Sequence, residues 1–161
     1  MSRDTHAVDP DVTAADPTLR IGAAAERAGV STRTLRYYQE VGLLEPSGRS
    51  PGGDRRYSEA DLERLARILR LRDVMGFDLD RIRVILAADD RILELRSEVR
   101  AGVSQTRRRE IVHEAIELNH HQRELVREKL QLLQAFNDEL EATAERYRAK
   151  ADELGVTIVE P

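Results

Sequence analysis

Cysteine and tryptophan are absent from this chain of 161 residues, and phenylalanine occurs only twice. Without cysteine the chain cannot form a disulfide, a thiolate-bound zinc or copper site, or an iron–sulfur cluster. The scarcity of large aromatic side chains argues against a large β-sandwich core. No run approaches the roughly 20 apolar residues that span a bilayer, and the N-terminus has no apolar segment typical of a secretion signal. We therefore expect a cytoplasmic protein without a membrane partner and without a cofactor.

Charge is abundant but unevenly divided along the chain. Asp, Glu, Lys and Arg make up 35% of the residues, and the net charge is −4. Residues 1 to 18 contain one arginine and four aspartates, residues 19 to 86 contain 13 arginines and 10 acidic residues, and residues 87 to 161 contain 12 basic and 16 acidic residues. The positive excess therefore lies in residues 19 to 86. A local basic region in an acidic protein is typical of a nucleic-acid-binding surface.

Composition divides the chain into five segments. Residues 1–17 have little to bury and three Asp/Pro pairings, so we expect a disordered N-terminal tail. Residues 18–87 carry the helix signals of a compact domain of four helices. We expect a linker with a short helix in residues 88–106, one long helix in residues 107–154 and a C-terminal tail in residues 155–161.

Turn and cap residues in the compact domain predict a helix-turn-helix. The first helix covers about residues 23 to 28 and ends at Gly29, because glycine adopts the left-handed conformation at low cost. Ser31 is placed to cap the second helix, since its hydroxyl can accept from the free amides of the first turn. Gly42 closes this second helix. The spacing of the two helices is that of a DNA-reading motif.

The next segment, residues 46–56, cannot hold a helix because it contains Pro46, Pro51 and three glycines. It predicts a loop or a short hairpin. A phosphate-binding P-loop is not indicated, because the Lys-Ser/Thr pair and the following helix of that motif are missing. We interpret the segment as a wing, in which Arg49, Arg55 and Arg56 lie along a phosphate backbone.

A second helix pair is predicted to complete the domain. Ser58 opens the first of these helices, with Asp61 three residues later as a weaker relative of the capping box, and Gly76 ends it. Asp78 caps the other helix. The positions predicted to face the core are Leu62, Leu65 and Leu69 in one helix and Ile82, Ile85 and Leu86 in the other.

The long helix in residues 107–154 contains neither proline nor glycine and consists mostly of good helix formers. At about 1.5 Å per residue it reaches roughly 70 Å, which is too long for the small domain alone to cover its apolar stripe. The simplest partner is the same helix of a second copy, because in a two-fold symmetric pair the apolar stripe of each helix covers the stripe of the other. A long core helix within a monomer is the alternative. The predicted dimerisation residues are Leu118, Leu125, Leu132, Phe136, Leu140 and Tyr147.

One ordered series of motifs runs through residues 19–87: Ile21-Gly22, Gly29-Val30-Ser31, Thr34-Leu35-Arg36-Tyr37-Tyr38, Gly42-Leu43-Leu44, Arg55-Arg56-Tyr57-Ser58, Asp61-Leu62 and Gly76-Phe77. This series resembles the mercury-resistance-type (MerR) family of transcription regulators. The resemblance implies an all-α fold with a small wing hairpin, in which a winged helix-turn-helix head joins a long antiparallel coiled-coil dimerisation helix. It also implies a homodimer that binds a palindromic operator in a promoter spacer and distorts the DNA, with RNA polymerase as an indirect partner.

Ten residues are candidates for contact with double-stranded DNA. Arg33 and Arg36 lie three apart and share a helix face, and arginine can fork onto guanine or clamp a phosphate. Tyr37 and Tyr38 point about 100° apart, so one packs inward while the other presents its hydroxyl to a phosphate; the resemblance implies that both lie near DNA. Asp54 departs from the family pattern in the wing. The full set is Ser31, Arg33, Thr34, Arg36, Tyr37, Tyr38, Arg49, Arg55, Arg56 and Tyr57.

Alternatives for the effector and for the function stay open. His113, His120 and His121 are the remaining metal-ligand types, although histidines on a polar helix are more often solvated. Residues 91 to 105 could instead pack on the long helix and form a small-ligand pocket, or no ligand exists. A coiled-coil scaffold or partner-binding module without specific DNA binding is the alternative function. An enzyme is not expected, because no nucleophile, base and orienting group can be assembled.

Overall fold

The computed structural model describes residues 19–156, which form five helices and one small antiparallel sheet. The predicted tail of residues 1–17 and residues 157–161 of the predicted C-terminal tail lie outside the described residues. The elements in chain order are β1 Leu19–Arg20, α1 Ile21–Arg27, α2 Thr32–Glu40, β2 Gly48–Arg49, β3 Arg55–Tyr57, α3 Glu59–Leu69 with a π-helical turn Arg70–Val74, α4 Leu79–Ala101 and α5 Gln105–Leu154. The predicted class, a helical protein with a small wing and a long C-terminal helix, is confirmed.

Two compact units divide the chain, the first ending at Leu86 and the second beginning at Ala87. In residues 19–156, no helix is both long and apolar enough to cross a lipid bilayer.

The helix-turn-helix of the first unit forms through the predicted cap chemistry. Gly29 follows α1 in the left-handed region, with φ of 65°, and Ser31 Oγ accepts from the Thr34 amide at 3.0 Å. The first helix begins at Ile21, about two residues earlier than predicted. The reason is that the preceding strand leads directly into the helix without a connecting loop.

The wing is a three-stranded antiparallel sheet with strand order β1-β3-β2. Arg49 of β2 pairs with Arg55 of β3, and Arg20 of β1 pairs with Arg56 of β3. The loop or hairpin expected in residues 46–56 is thus a hairpin, whose turn is closed by a Ser50 amide donating to the Asp54 carbonyl at 2.8 Å. Strand β1 was not predicted, because two residues are too few to show an alternating pattern.

The core of the first unit differs in one helix from the predicted stripe. Leu65 is fully buried as expected, but Leu62 and Leu69 are only half-buried. Ile68 and Leu71 are buried instead. The face that turns inward is set by the buried Asp61 at the start of α3, and the positions four and seven residues later lie on the same side of the helix.

Helix α4 runs without interruption for 23 residues, Leu79–Ala101. The separate short helix expected within residues 88–106 is therefore wrong, and that segment is mainly the second half of α4. Neither glycine nor proline occurs between Asp78 and Gly102, so nothing stops the helix earlier. Gly102, with φ of 94°, ends it.

The predicted long helix is confirmed as the 50-residue α5, Gln105–Leu154. Ser104 caps its first turn by accepting from the Arg107 amide at 3.2 Å. Gly155 follows its last turn in the left-handed region, with φ of 64°. The local signals at both ends therefore fix the length of the helix.

Ion pairs fasten the second half of α4 to the beginning of α5. Arg91 Nε donates to Glu114 at 2.6 Å, and Arg107 Nη2 donates to Glu98 at 2.9 Å. The hydrogen bond from Arg91 holds the pKa of the Glu114 carboxyl below its usual value. Leu95 and Ile111 are buried. From residue 130 to residue 142 every side chain of α5 is exposed among the residues that the structure describes.

Candidate nucleic-acid interface

Helix α2 presents one buried face and one exposed face. Leu35 and Tyr38 are completely buried, whereas Arg33, Arg36 and Tyr37 are exposed. The inward position of one tyrosine and the outward position of the other confirm the prediction from their 100° separation, and Tyr37 is the exposed one. The second helix of a helix-turn-helix is the one that enters the major groove, so these exposed side chains form the candidate reading surface.

The hydroxyls at the start of α2 are already engaged. Ser31 Oγ accepts from the Thr34 amide, and it lies 2.9 Å from Thr34 Oγ1. Both residues remain near the surface at the first turn of the helix. Their hydroxyls therefore hold the helix terminus in shape, and they leave Arg33 as the long polar side chain of that turn.

A cleft of about 380 Å³ lies between the wing and the helix-turn-helix. Its lining residues are Arg20, Ile21, Arg36, Arg49, Gly53, Asp54 and Arg55. We call it the arginine cleft, because four of these seven residues are arginines. Three separate segments supply them, namely the β1–α1 junction, α2 and the wing hairpin.

The four arginines of this cleft are exposed and form no ion pair with one another or with any other described residue. Arg49 Nη1 makes one long hydrogen bond, 3.4 Å, to the Gly53 carbonyl. Asp54 is the acidic residue among the lining residues. A concave surface with four unpaired guanidinium groups and one carboxylate attracts a phosphate-rich polymer.

Two of the predicted DNA-contacting residues lie in the core instead. Tyr38 and Tyr57 are completely buried, so the expectation that their side chains contact DNA is wrong. Burial raises the pKa of both phenols. The Tyr38 hydroxyl accepts from Arg72, whose guanidinium also lies 5.7 Å from the ring centre. The Tyr57 hydroxyl accepts from Gln39 Nε2 at 2.6 Å. The two tyrosines therefore position α2 and the wing.

Three residues with roles in this region were missed by the sequence analysis. Arg20 lines the arginine cleft, Gln39 ties α2 to β3, and Arg72 reaches back from the π-helical turn to α2. A basic residue directly before the first helix of a helix-turn-helix was an available signal for Arg20. The other two contacts join residues 18 and 34 positions apart, so no local pattern indicated them.

A hydrogen-bond network around Asp61 mounts the wing on α3. The predicted capping box is present in full, since the Asp61 amide donates to Ser58 Oγ at 3.2 Å and the Ser58 amide donates to Asp61 at 2.9 Å. The same carboxylate accepts from the Ser47 amide at 3.0 Å and from the Ser47 hydroxyl at 2.7 Å. Since Ser47 directly precedes β2, this network fixes where the wing hairpin begins.

The predicted dimerisation residues fall into two groups on α5. Leu118 and Leu125 are half-buried. The other four are 52–72% exposed although they are large and apolar. These four are Leu132, Phe136, Leu140 and Tyr147.

The remaining candidates lie along α5 and the second half of α4. His113, His120 and His121 are exposed, and no group of three metal-ligand side chains occurs in the part of the chain that the structure describes. A groove of about 670 Å³ lies where residues 92–100 meet α5, which is the place expected for the alternative of a small-ligand pocket.

Arg56, the remaining arginine among the candidate wing residues, is half-buried.

Sequence comparison agrees with this geometry. Residues 19–89 match the family model described as MerR HTH family regulatory protein. The chain is 34% identical over 124 residues to the HTH-type transcriptional regulator YfmP of Bacillus subtilis, which covers 76% of this chain and 88% of YfmP. It is 51% identical over 74 residues to the HTH-type transcriptional activator TipA of Streptomyces coelicolor, but this covers 44% of the chain and 29% of TipA.

Solved structures give a similar result over most of the chain. A crystal structure from Listeria monocytogenes, described as that of a MerR family transcriptional regulator, is 25% identical and covers 86% of this chain and 95% of its own, with a TM-score of 0.55. HiNmlR, described as a MerR family regulator lacking the sensor domain and bound to promoter DNA, is 28% identical, covers 86% of this chain and 96% of its own, and has a TM-score of 0.51.

Proposed function

The chain belongs to the MerR family of helix-turn-helix transcriptional regulators, and we propose that it binds a palindromic operator in a promoter spacer as a homodimer and controls transcription by distorting the DNA. The observation that carries this proposal is the arginine cleft beside the exposed face of α2. A regulator of this kind acts on the nucleoid in the cytoplasm. Its effector is not assigned by the residues of the site.

Two kinds of DNA contact follow from the geometry. The exposed face of α2, with Arg33 in its first turn, enters the major groove and reads base edges. The arginine cleft receives the phosphate backbone beside that groove, because none of its four arginines forms an ion pair with a described residue. Phosphate contacts set the register of the protein on the duplex, and base contacts select the sequence.

Homodimerisation is supported by the uncovered part of α5. Large apolar side chains stay exposed along it, and burying them against a second copy removes this surface from water.

The charge of the helix also favours an antiparallel pair. Residues 105–131 carry six basic and five acidic residues, whereas residues 132–154 carry three basic and six acidic residues. An antiparallel arrangement places the acidic half of one helix beside the more basic half of its partner.

DNA distortion follows if both heads of such a dimer bind their half-sites at once. The spacing of the heads is then set by the protein, so the intervening duplex must bend or untwist to fit, and the cost depends on its sequence and stiffness. A changed twist alters the angular offset of the two promoter elements that RNA polymerase contacts together. The polymerase is therefore an indirect partner in this proposal.

The cleft is tested by replacing Arg36 with alanine. We expect the affinity for operator DNA to fall roughly 10- to 100-fold, since each subunit then binds the phosphate backbone with one guanidinium group fewer. The slope of log affinity against log salt becomes shallower by about two, because the dimer neutralises two phosphates fewer. Fluorescence anisotropy titrations at several salt concentrations measure both quantities.

The matched control for this variant is Arg109→Ala, which removes an exposed arginine from α5. It should leave the affinity and the salt slope near those of the unsubstituted protein. If Arg36→Ala leaves both unchanged while circular dichroism shows an intact fold, the cleft does not bind the DNA backbone. If the unsubstituted protein shows no salt-dependent DNA binding, the alternative of a coiled-coil scaffold is favoured.

Replacing Arg33 with alanine should instead change specificity. We expect the preference for one base pair in each half-site to weaken by about 1–3 kcal/mol, because alanine cannot form the bidentate hydrogen bonds to guanine. Selection from a randomised operator library measures this preference. A uniform loss of affinity across all sequences, with a shallower salt slope, would place Arg33 on the phosphate backbone and contradict the assignment.

A further inference from the structure

The N-terminal segment of the chain, residues 1–18, carries the charge opposite to that of the domain it precedes. Its four aspartates, against the single Arg3, give it a formal charge of −3. Residues 19–86 have 13 arginines and 10 acidic residues, a formal charge of +3. The four aspartates are Asp4, Asp9, Asp11 and Asp16. The first 86 residues of the chain are therefore neutral in sum.

Covalent connection limits how far the aspartates of this segment can lie from the arginine cleft. Asp16 lies four residues before Arg20, which is itself a lining residue of the cleft. Since a chain spans at most about 3.5 Å per residue, the Cα atoms of these two residues cannot be more than roughly 14 Å apart. The same limit places Asp11 within roughly 32 Å of Arg20. The local concentration of carboxylates at the cleft is thus high whatever course the segment takes.

The chemistry of the cleft suits carboxylates. Its arginines come from three segments that converge on a concavity of about 380 Å³, and none of them is paired with a described acidic residue. A guanidinium group binds a carboxylate in the same forked geometry with which it binds a phosphate. The acidic groups of an unrelated protein have the same chemistry, but they must be brought from solution at the cost of association, whereas residues 1–18 are already attached.

We propose that residues 1–18 dock on the arginine cleft of the DNA-free protein through their aspartates and compete with the DNA backbone for it. The docking itself needs only the cleft and the acidic segment; the competition rests on the proposed DNA-binding function. The segment lowers the affinity for specific and non-specific DNA by the same factor, because either kind of DNA must displace it from the arginine cleft before the phosphate backbone can bind there.

The docking is tested on the full chain without DNA. Because the protein has no cysteine, Thr13→Cys provides a single position for a nitroxide spin label. We expect the label to broaden the amide signals of Gly53 and Arg55 in the wing, and to leave that of Ala149 near the end of α5 unchanged. The broadening should disappear when all four aspartates of the segment are replaced by asparagine. Wing signals that the label leaves unbroadened, or broadening that persists in the asparagine variant, would overturn the proposal.

The competition is tested by DNA titration of the variant Asp4→Asn, Asp9→Asn, Asp11→Asn and Asp16→Asn, without the label. We expect roughly fivefold tighter binding at low salt, as four weak and exposed charge interactions allow, and the difference should vanish as salt screens them. The control replaces Glu117, Glu139, Glu145 and Asp152 by amides, which changes the net charge equally on α5. An equal gain in both variants shows a general charge effect and overturns the competition. If the unsubstituted protein binds no DNA, the proposed function fails while the label result still decides the docking.

Discussion

A variant that carries Phe136→Glu and Leu140→Glu is expected to be monomeric and to bind operator DNA at least 100-fold more weakly than the unsubstituted protein. Both side chains are large, apolar and more than half exposed on α5. With two glutamates in each subunit, a two-fold pair would have four added negative charges in the surface that the partner helix must cover, and burying unpaired charges there is prohibitive. Glutamate is a good helix former, so α5 itself is retained.

The weaker DNA binding follows from the absence of a second head. When two heads are joined, binding of the second half-site is intramolecular, and this contributes about 10²- to 10⁴-fold to the overall affinity. A monomer retains the arginine cleft and the reading face of α2, so it keeps weak and salt-dependent binding to a single half-site. Sedimentation equilibrium measures the assembly state, and anisotropy titration measures the affinity for full and half operators.

The matched control is Gln131→Glu with Ala142→Glu, which adds the same two charges to exposed positions of α5. At about 100° per residue these positions lie on the side of the helix opposite to Phe136. The control should remain dimeric. Dimerisation of the Phe136→Glu, Leu140→Glu variant, or a concentration-independent monomer in the unsubstituted protein, would show that this face of α5 does not pair.

The elements that could be predicted are those set by local chemistry. Gly29, Ser31 and Ser58 each act on amides or backbone angles within a few residues, and their effects were read from the sequence. Strand β1 could not be predicted, because its two residues become a strand only by pairing with residues of β3 that are 36 and 38 positions away. The continuity of α4 was predictable, since neither glycine nor proline interrupts residues 79–101.

The candidate site shows the same division between local and long-range information. Arg33 and Arg36 were assigned to an exposed face from their spacing, and the structure places them there. Tyr38 could have been assigned to the core, because it lies three residues after the buried Leu35 and therefore on the same helix face. That Arg20 lines the arginine cleft could not be predicted from the sequence, since it depends on the strand pairing that brings the β1–α1 junction beside the wing.

Asp61→Ala is expected to destabilise the first unit by about 3–5 kcal/mol, because it leaves several buried or part-buried donors without an acceptor. The Asp61 carboxylate accepts from the Ser58 amide, the Ser47 amide and the Ser47 hydroxyl, and the residue is only 8% exposed. Small domains are stable by only about 5–15 kcal/mol, so such a loss unfolds an appreciable fraction of this unit. The wing loses its attachment to α3 first, since Ser47 is the residue from which the hairpin starts.

Hydrogen exchange shows whether stability is lost only in the first unit or in both units. The amides of Leu35 and Leu65 lie in helices of the first unit, and their exchange should accelerate by two to three orders of magnitude, which corresponds to a loss of about 3–4 kcal/mol. The amide of Leu132 lies on α5 in the second unit, far along the chain from Asp61, and its exchange should stay nearly as before. Glu63→Ala, which removes an exposed carboxylate from the same helix, is the control and should cost less than about 0.5 kcal/mol. Asp61→Asn keeps one carbonyl acceptor, so its loss of stability should lie between those of Asp61→Ala and Glu63→Ala. Equal exchange rates in Asp61→Ala and Glu63→Ala would mean that the network around Asp61 does not support the wing.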